Sequence, residues 1–183
     1  KIVQKKTTVS LVNSKIRLKW SKGEEVRFTS HLDVVRMFDK TLRRADVPID
    51  YSLGFHPHQK IAFGPALSLG FISDSEYLDL QLEVPYREEF FIKLNSVLPN
   101  GFKFLQAKTI FGKTPSLSES VNVAQYEVQL PHQQEQIQEK ILAVLEKKNF
   151  LVKRQKIEQI LKLYIREYIM TLEALKMDDN QTL

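Results

Sequence analysis

Three of the four histidines of this 183-residue chain, His31, His56 and His58, together with Lys60, are the side chains whose types and spacing could do chemistry. One imidazole that takes a 2′-hydroxyl proton, with a second group to protonate the leaving oxygen, cleaves RNA without a metal. His31 as the base, with His56, His58 or Lys60 as its partner, would supply that pair. His56-x-His58 also brings two imidazoles near one point, but Pro57 lies between them and no third ligand is apparent, so no metal site is expected. The same residues belong to YSLGFHPHQKIAFGPALSLG, residues 51–70, where rings and cations are interleaved. Tyr51, Phe55 and His56 offer flat faces or hydrogen bonds to bases, and His58 and Lys60 offer positive charge to phosphates, the mixture found in single-stranded nucleic-acid sites. The alternative is structural, with Tyr51, Phe55 and Phe63 as plugs that hold a long connection onto a core. Pro57 and Pro65 preclude a regular ladder, and Gly54, Gly64 and Gly70 permit positive φ or close approach, so an ordered loop of fixed shape is expected.

The elements that must position these groups follow from periodicity. KIRLKW, 15–20, alternates Ile16, Leu18 and Trp20 with Lys15, Arg17 and Lys19, a half-buried strand, and VRF, 26–28, is expected to return the chain after a turn. SHLDVVRMFDKTLRRAD has Ser30 as N-cap and Asp33 three residues on, an acidic variant of the capping box. Val34, Val35, Phe38, Leu42 and Ala45 share one face of that helix, and Arg36, Lys40 and Arg43 form a cationic stripe opposite, continued by Arg44. His31 directly follows the cap, a position suited to a general base or a hydrogen-bonded packing residue. EYLDLQLEV, 76–84, alternates as a strand; REEFFIKLNSVL, 87–98, is an amphipathic helix stopped by Pro99-Asn100-Gly101; FKFLQAKTIF, 102–111, is extended again. The order β, α, β, β, α, β is the α+β ferredoxin-like split βαβ pattern, an antiparallel four-stranded sheet with both helices on one face and the other face free to bind.

GKTPSLSES, 112–120, is rich in Pro, Gly and Ser and is expected to link two halves: an extension at 1–14, a first ferredoxin-like half at 15–112, a linker at 113–120 and a second α+β half at 121–183. In the second half VNVAQYEVQL, 121–130, is expected as a strand, 132–149 as a helix through Ile137, Ile141, Leu142 and Leu145, and FLVKR, 150–154, as a strand. Residues 157–175 fit helix and strand equally, 177–181 look like a hairpin turn, and the second half is expected to lack a partner strand.

The net charge of +5 lies wholly in the first part: residues 1–113 hold 18 Lys+Arg against 12 Asp+Glu. That asymmetry points to an anionic partner, nucleic acid before membrane. No apolar run approaches the roughly 18 residues that span a bilayer, and the basic start lacks the apolar core of a secretory signal. With no cysteine, disulfides, thiol nucleophiles and cysteine-held clusters are excluded on this chain, and a cytoplasmic location is expected. There is no Walker-type loop, H-E-x-x-H, G-x-S-x-G or G-x-G-x-x-G.

Several short motifs occur in order: SHLD at 30–33, Leu42-Arg43-Arg44-Ala45, Tyr51-Ser52-x-Gly54-Phe55-x-Pro57, Phe63-x-Pro65-x-Leu67-x-x-Gly70 and Ser75-Glu76-Tyr77-Leu78-Asp79. In these the chain resembles a bacterial family of radical-SAM-linked proteins, domains fused behind or encoded beside B12-binding-type radical SAM proteins. His56 stands where many members have Asn. The resemblance implies a radical SAM partner, in cis or in trans, and an RNA such as tRNA or rRNA as the material presented to it. The resulting expectation is a non-catalytic RNA-binding accessory domain with no cofactor of its own. Arg36, Lys40, Arg43, Arg44 and Lys60 would lie on phosphates, with Tyr51, Phe55, His56 and His58 beside them. The metal-independent ribonuclease centred on His31 is one alternative, and a protein-docking adaptor that meets no nucleic acid is another.

Overall fold

The computed structural model describes residues 14–129, 135–155 and 160–174, and the chain divides into two compact units, 1–125 and 126–183. The first unit holds strand β1 (Ser14–Lys22), helix α1 (His31–Arg44), strands β2 (Ile61–Phe63) and β3 (Ser73–Leu82), helix α2 (Glu88–Val97), strand β4 (Phe102–Ile110) and the single-turn helix α3 (Leu117–Ser120). The strands form one sheet in the order β2-β3-β1-β4 with every neighbour antiparallel. That order is the ferredoxin-like topology read from the sequence: each helix crosses over to a strand two places away, and each gap is filled by a strand of the other βαβ unit.

Helix α1 begins because Ser30 satisfies orphan amides. Its Oγ accepts from the Asp33 amide at 3.2 Å while the Asp33 carboxylate accepts from the Ser30 amide and hydroxyl, closing the capping box. It ends where Asp46 turns to φ +50, ahead of Pro48. Val34, Phe38, Leu42 and Ala45 are buried; Val35 is only half-buried, and Thr41 takes a place on the inner face instead. On β1 the inner face is Ile16, Leu18, Trp20 and Lys22, and the register sets Leu78 and Leu80 of β3 beside Leu18 and Ile16. Phe38 is fully buried at the centre, with its ring 5.0 Å from Trp20, 5.9 Å from Phe63, 6.1 Å from Phe102 and 5.4 Å from Phe104.

Two local expectations are corrected. Residues 24–26 form a turn of 3-10 helix rather than leading into a returning strand, because Lys22 Nζ donates to the Arg27 and Thr29 carbonyls at 3.0 and 3.1 Å and folds the segment back over the end of β1. Residues 121–129 carry no regular structure and are largely exposed, so their alternating pattern found no neighbouring strand to pair with. Within the expected linker, Ser116 caps α3 and Leu117 is buried apart from the main core.

The second unit contains helix α4 (Glu135–Glu146) and an antiparallel pair, β5 (Leu151–Gln155) with β6 (Ile160–Tyr164), followed by a 3-10 turn at Arg166–Tyr168. Arg166 ties that turn to the helix by donating to the Leu145 carbonyl at 3.2 Å. The ambiguous 157–175 stretch is thus strand and turn where it is described, and the hairpin expected at 177–181 lies outside the described residues. Among the described residues no helix is long and apolar enough to cross a membrane.

Phe38→Ala is expected to cost about 3–5 kcal/mol, because it empties the contact point of four rings; urea unfolding followed by far-UV circular dichroism measures it.

Candidate functional site

The residues expected on phosphates are on α1 and at the start of β2, and most of their charge is already engaged. Arg43 makes a two-pronged contact with Asp39 at 3.1 and 3.3 Å, one helical turn back. Lys60 holds Asp50 at 2.7 Å, Arg36 lies 3.8 Å from Asp33, and Arg44 donates to the Val97 carbonyl at 3.2 Å. Lys40 is exposed and has no ion-pair partner among the described residues. Tyr51 is half-buried against the core with its hydroxyl accepting from Gln59 Nε2 at 3.3 Å. Between Tyr51 and Gln59, which bridge each other, Phe55, His56 and His58 stand in an exposed loop, and Phe55 is fully exposed. That loop has a fixed base: the Ser52 amide donates to the His58 carbonyl, the His58 amide donates to Ser52 Oγ, and Gly54 at its tip takes φ +131, a conformation side chains resist. The stretch 51–70 is therefore both things the sequence allowed, with Tyr51 and Phe63 packed on the core and Phe55 free.

The histidines are not brought together. His31 packs edge-on to Phe63, ring centres 5.7 Å apart, at the end of the sheet where α1 starts. His58 lies five residues before Phe63 along an extended chain, roughly 16 Å away at about 3.3 Å per residue. Among the described residues neither His56 nor His58 is placed beside His31 for a concerted proton transfer, and no group of three or more His, Asp or Glu is placed to hold a metal ion.

A different set of cations converges on the sheet face that α1 and α2 leave uncovered. Directly opposed residues of an antiparallel pair point to one side. Lys15, Arg17 and Lys19 of β1 share that outer face, and the register sets Lys108 beside Arg17 and Lys103 beside Ser21. Lys103 and Lys108 are an odd number of residues apart, so a regular strand would send them to opposite faces. A bulge does otherwise: Trp20 pairs with Phe104 and Lys19 with Gln106, Leu105 is left over, and both lysines emerge on the outer face.

One acid sits among these cations. Asp79 is 2% exposed, accepts from Arg17 Nε and Nη2 at 2.8 and 3.0 Å and pairs with Lys15 at 3.0 Å. Burial alone would raise its carboxyl, but the hydrogen bonds from Arg17 and Lys15 outweigh that and hold it below the ordinary aspartate range. Arg17 and Lys15 are thereby fixed in place, and Lys19, Lys103 and Lys108 have no carboxylate partner among the described residues. The alternation in 15–20 was the signal for half of this face. Nothing in the spacing of 102–111 announced the other half.

Where α1 begins there is also a cleft, lined by Trp20, Lys22, Thr29, His31, Phe63 and Glu76 among others. It forms because β1 and β3 carry polar residues on their inner face just where the apolar layer ends. Trp20 and Glu76 are directly opposed, and Lys22 follows two residues on. Gly64 closes the far wall, its amide donating to the Tyr77 carbonyl at 3.0 Å; a Cβ there would stand 3.3 Å from that oxygen. Burial pushes the Glu76 carboxyl above its ordinary range against the pull of Ser73, Lys22 and His31, and burial also lowers the Lys22 ammonium.

Residues 15–183 match the sequence profile of an uncharacterised protein family conserved in bacteria, DUF2344, and the chain belongs to that family. No curated protein matches it.

Two opposite pH dependences follow. Asp79, held low in the folded state, contributes stability that is complete above about pH 4, the unfolded aspartate value, and is lost as pH falls through its folded value. Asp79→Asn should therefore flatten the acid limb of a stability-against-pH curve obtained from urea melts. Glu76, held high, contributes fully below about pH 4.3 and less as pH rises through its folded value. Glu76→Gln is expected to match the parent protein at pH 4 and to melt at the same or a higher temperature at pH 7, by differential scanning fluorimetry.

Proposed function

We propose that this protein is an RNA-binding accessory domain that positions RNA for a radical SAM partner, with the face of the four-stranded sheet opposite α1 and α2 as the phosphate-binding surface. The observation that carries the reading is the set Lys19, Lys103 and Lys108: cations from two neighbouring strands, turned to one face and free of carboxylate partners among the described residues. Unpaired lysines on a flat surface are what a phosphate chain exchanges for its counterions. Of the cations on α1 and just before β2, Arg36, Arg43 and Lys60 pair with Asp33, Asp39 and Asp50, and Lys40 has no ion-pair partner among the described residues. The exposed Phe55, His56 and His58 supply a ring and two imidazoles for unstacked bases. The radical SAM partner rests on the family resemblance of the motifs between Ser30 and Asp79.

The docking-adaptor reading has its own observation in the exposed apolar side chains Phe28, Leu32 and Leu69. Ionic strength separates the two. Single-stranded RNA binding followed by fluorescence anisotropy is expected to weaken with salt at about 0.7 log units per phosphate contacted. The double variant Lys103→Ala/Lys108→Ala should make that slope shallower by about 1.4, two contacts' worth, whereas Arg36→Ala/Arg43→Ala should barely change it. A response indifferent to salt in the parent protein would favour the adaptor, and an unchanged slope in the lysine variant would remove the sheet face from the interface.

A further inference from the structure

Among the described residues no large apolar side chains are more exposed than Leu53 and Phe55, at 100% and 102%, so neither packs on the body of the protein. They stand at the tip of a loop whose base is closed. Tyr51 bridges Gln59, the Ser52 amide donates to the His58 carbonyl, the His58 amide donates to Ser52 Oγ, and the Lys60 amide donates to the Asp50 carbonyl. Lys60 Nζ and Asp50 add an ion pair at 2.7 Å. Pro57 fixes φ on one limb, and Gly54 turns the tip at φ +131 with nothing within 4 Å of the place a Cβ would take. The hairpin is a short stalk with an apolar head. The openness of Phe55 decides what that head can do. A ring lying on a sheet offers one face to a base because the other is covered, whereas Phe55 has both faces open and fits between two bases. Charge argues for RNA as the occupant: from Tyr51 to Ser73 there is no Asp or Glu, and the polar side chains beside the tip are His56 and His58, which can hydrogen-bond to bases. A lipid surface fits less well, since anionic membranes are gripped by several cations beside the apolar anchor, and the only Lys or Arg between Tyr51 and Lys60 is Lys60 itself, held by Asp50. The stalk also springs from the cationic sheet: the Lys60 carbonyl accepts from the Gln81 amide, and Gln81 is directly opposed to Lys15.

We propose that the head formed by Leu53 and Phe55 is a wedge that opens one base step of the bound RNA, with the Phe55 ring stacked between two neighbouring bases and Leu53 packed against the edge of one of them. The assignment deepens the RNA-binding reading above and rests on it. Phe and Leu are side chains that proteins insert between bases in this way. The wedge names the class of ligand, a single strand or the loop of a hairpin. Opening a step inside a duplex costs stacking and strains pairing, and the cost is least where the bases are already unpaired. Stacking tolerates any base, so the tip selects strandedness rather than sequence. It also carries no charge, so it strengthens binding without adding a phosphate contact, and salt separates its contribution from that of the sheet-face lysines.

Phe55→Ala removes a fully exposed side chain, so its thermal melt should match that of the parent protein. In fluorescence anisotropy with a single-stranded RNA oligonucleotide it should bind about ten- to a hundredfold more weakly at every salt concentration, the worth of stacking on one ring, with the salt slope unchanged. Phe55→Trp should keep the parent affinity, and the emission it adds to that of Trp20, the only tryptophan of the chain, should be quenched by the RNA. A duplex of the same sequence should bind the parent and Phe55→Ala alike. Parent-like affinity of Phe55→Ala for the single strand, or the same loss on the duplex, would overturn the wedge; a salt slope made shallower by Lys103→Ala/Lys108→Ala would then leave the sheet-face reading standing. No RNA binding by the parent removes both. A Phe55-dependent affinity whose slope ignores the two lysines keeps the wedge and discards the sheet face. Vesicles of phosphatidylcholine and phosphatidylserine test the lipid surface: sedimentation with them that needs Phe55, beside an RNA affinity that does not, makes the tip a membrane anchor and overturns the proposal.

Discussion

The contact between Phe38 and the rings of Trp20, Phe63, Phe102 and Phe104 is the constraint from which the rest of the first unit follows. Those four rings come from or border β1, β2 and β4, so one residue near the middle of α1 fixes the helix against three strands at once. Fully burying a side chain of this size contributes about 1.5–3 kcal/mol, and the edge-to-face pairs with Trp20 and Phe102 add to that. Phe38 pins the helix at its centre, and its first turn, capped by Ser30, packs His31 on Phe63 beside Trp20 and Glu76. The cleft is the consequence: on β1 and β3 the apolar layer stops at Trp20, and the inner-face positions opposite and beyond it, Glu76 and Lys22, are polar.

The outer face is governed by two devices that have nothing to do with apolar packing. Buried Asp79 holds the part-exposed Arg17 and Lys15 by hydrogen bonds and an ion pair. An ion group of this kind holds its charges in place more than it stabilises the fold. The bulge at Leu105 then turns Lys103 and Lys108 to the same side, which converts a strand with one outward lysine into one with two. Charge on this surface is therefore sorted into a group paired on Asp79, with one positive charge in excess, and the unpaired Lys19, Lys103 and Lys108.

The histidines show why residue type is a weak guide to chemistry without placement. His31 belongs to the cleft, His56 and His58 to a loop beyond the other end of β2, and the sheet that orders the fold is also what separates them. The arginines of α1 tell the same story through pairing. Asp33 and Asp39 occur at helical spacing from Arg36 and Arg43, so the stripe that reads as a cationic track in one dimension is an alternating row of ion pairs along the helix.

Periodicity and capping residues were enough to place α1, β1, β3, α2 and β4 within a few residues and to imply their split βαβ order, because each has one apolar face and a clear stop in Pro, Gly or a cap. The same local signals failed at 121–129, where alternation exists without a partner strand, and at 26–28, where two carbonyl bonds from a lysine outweigh an extended preference. Half of the candidate surface, Lys15 to Lys19, was visible as alternation. The other half was invisible, since side-chain direction past a bulge depends on which partner residues pair across the ladder, and that is decided between strands rather than along one. The place of Phe55 was equally beyond reach of the sequence: a ring between Gly54 and Pro57 reads as a core plug or as an open face, and the choice falls to the bridge of Tyr51 with Gln59 and the bonds between Ser52 and His58, which close the loop below it and leave its tip clear of the core.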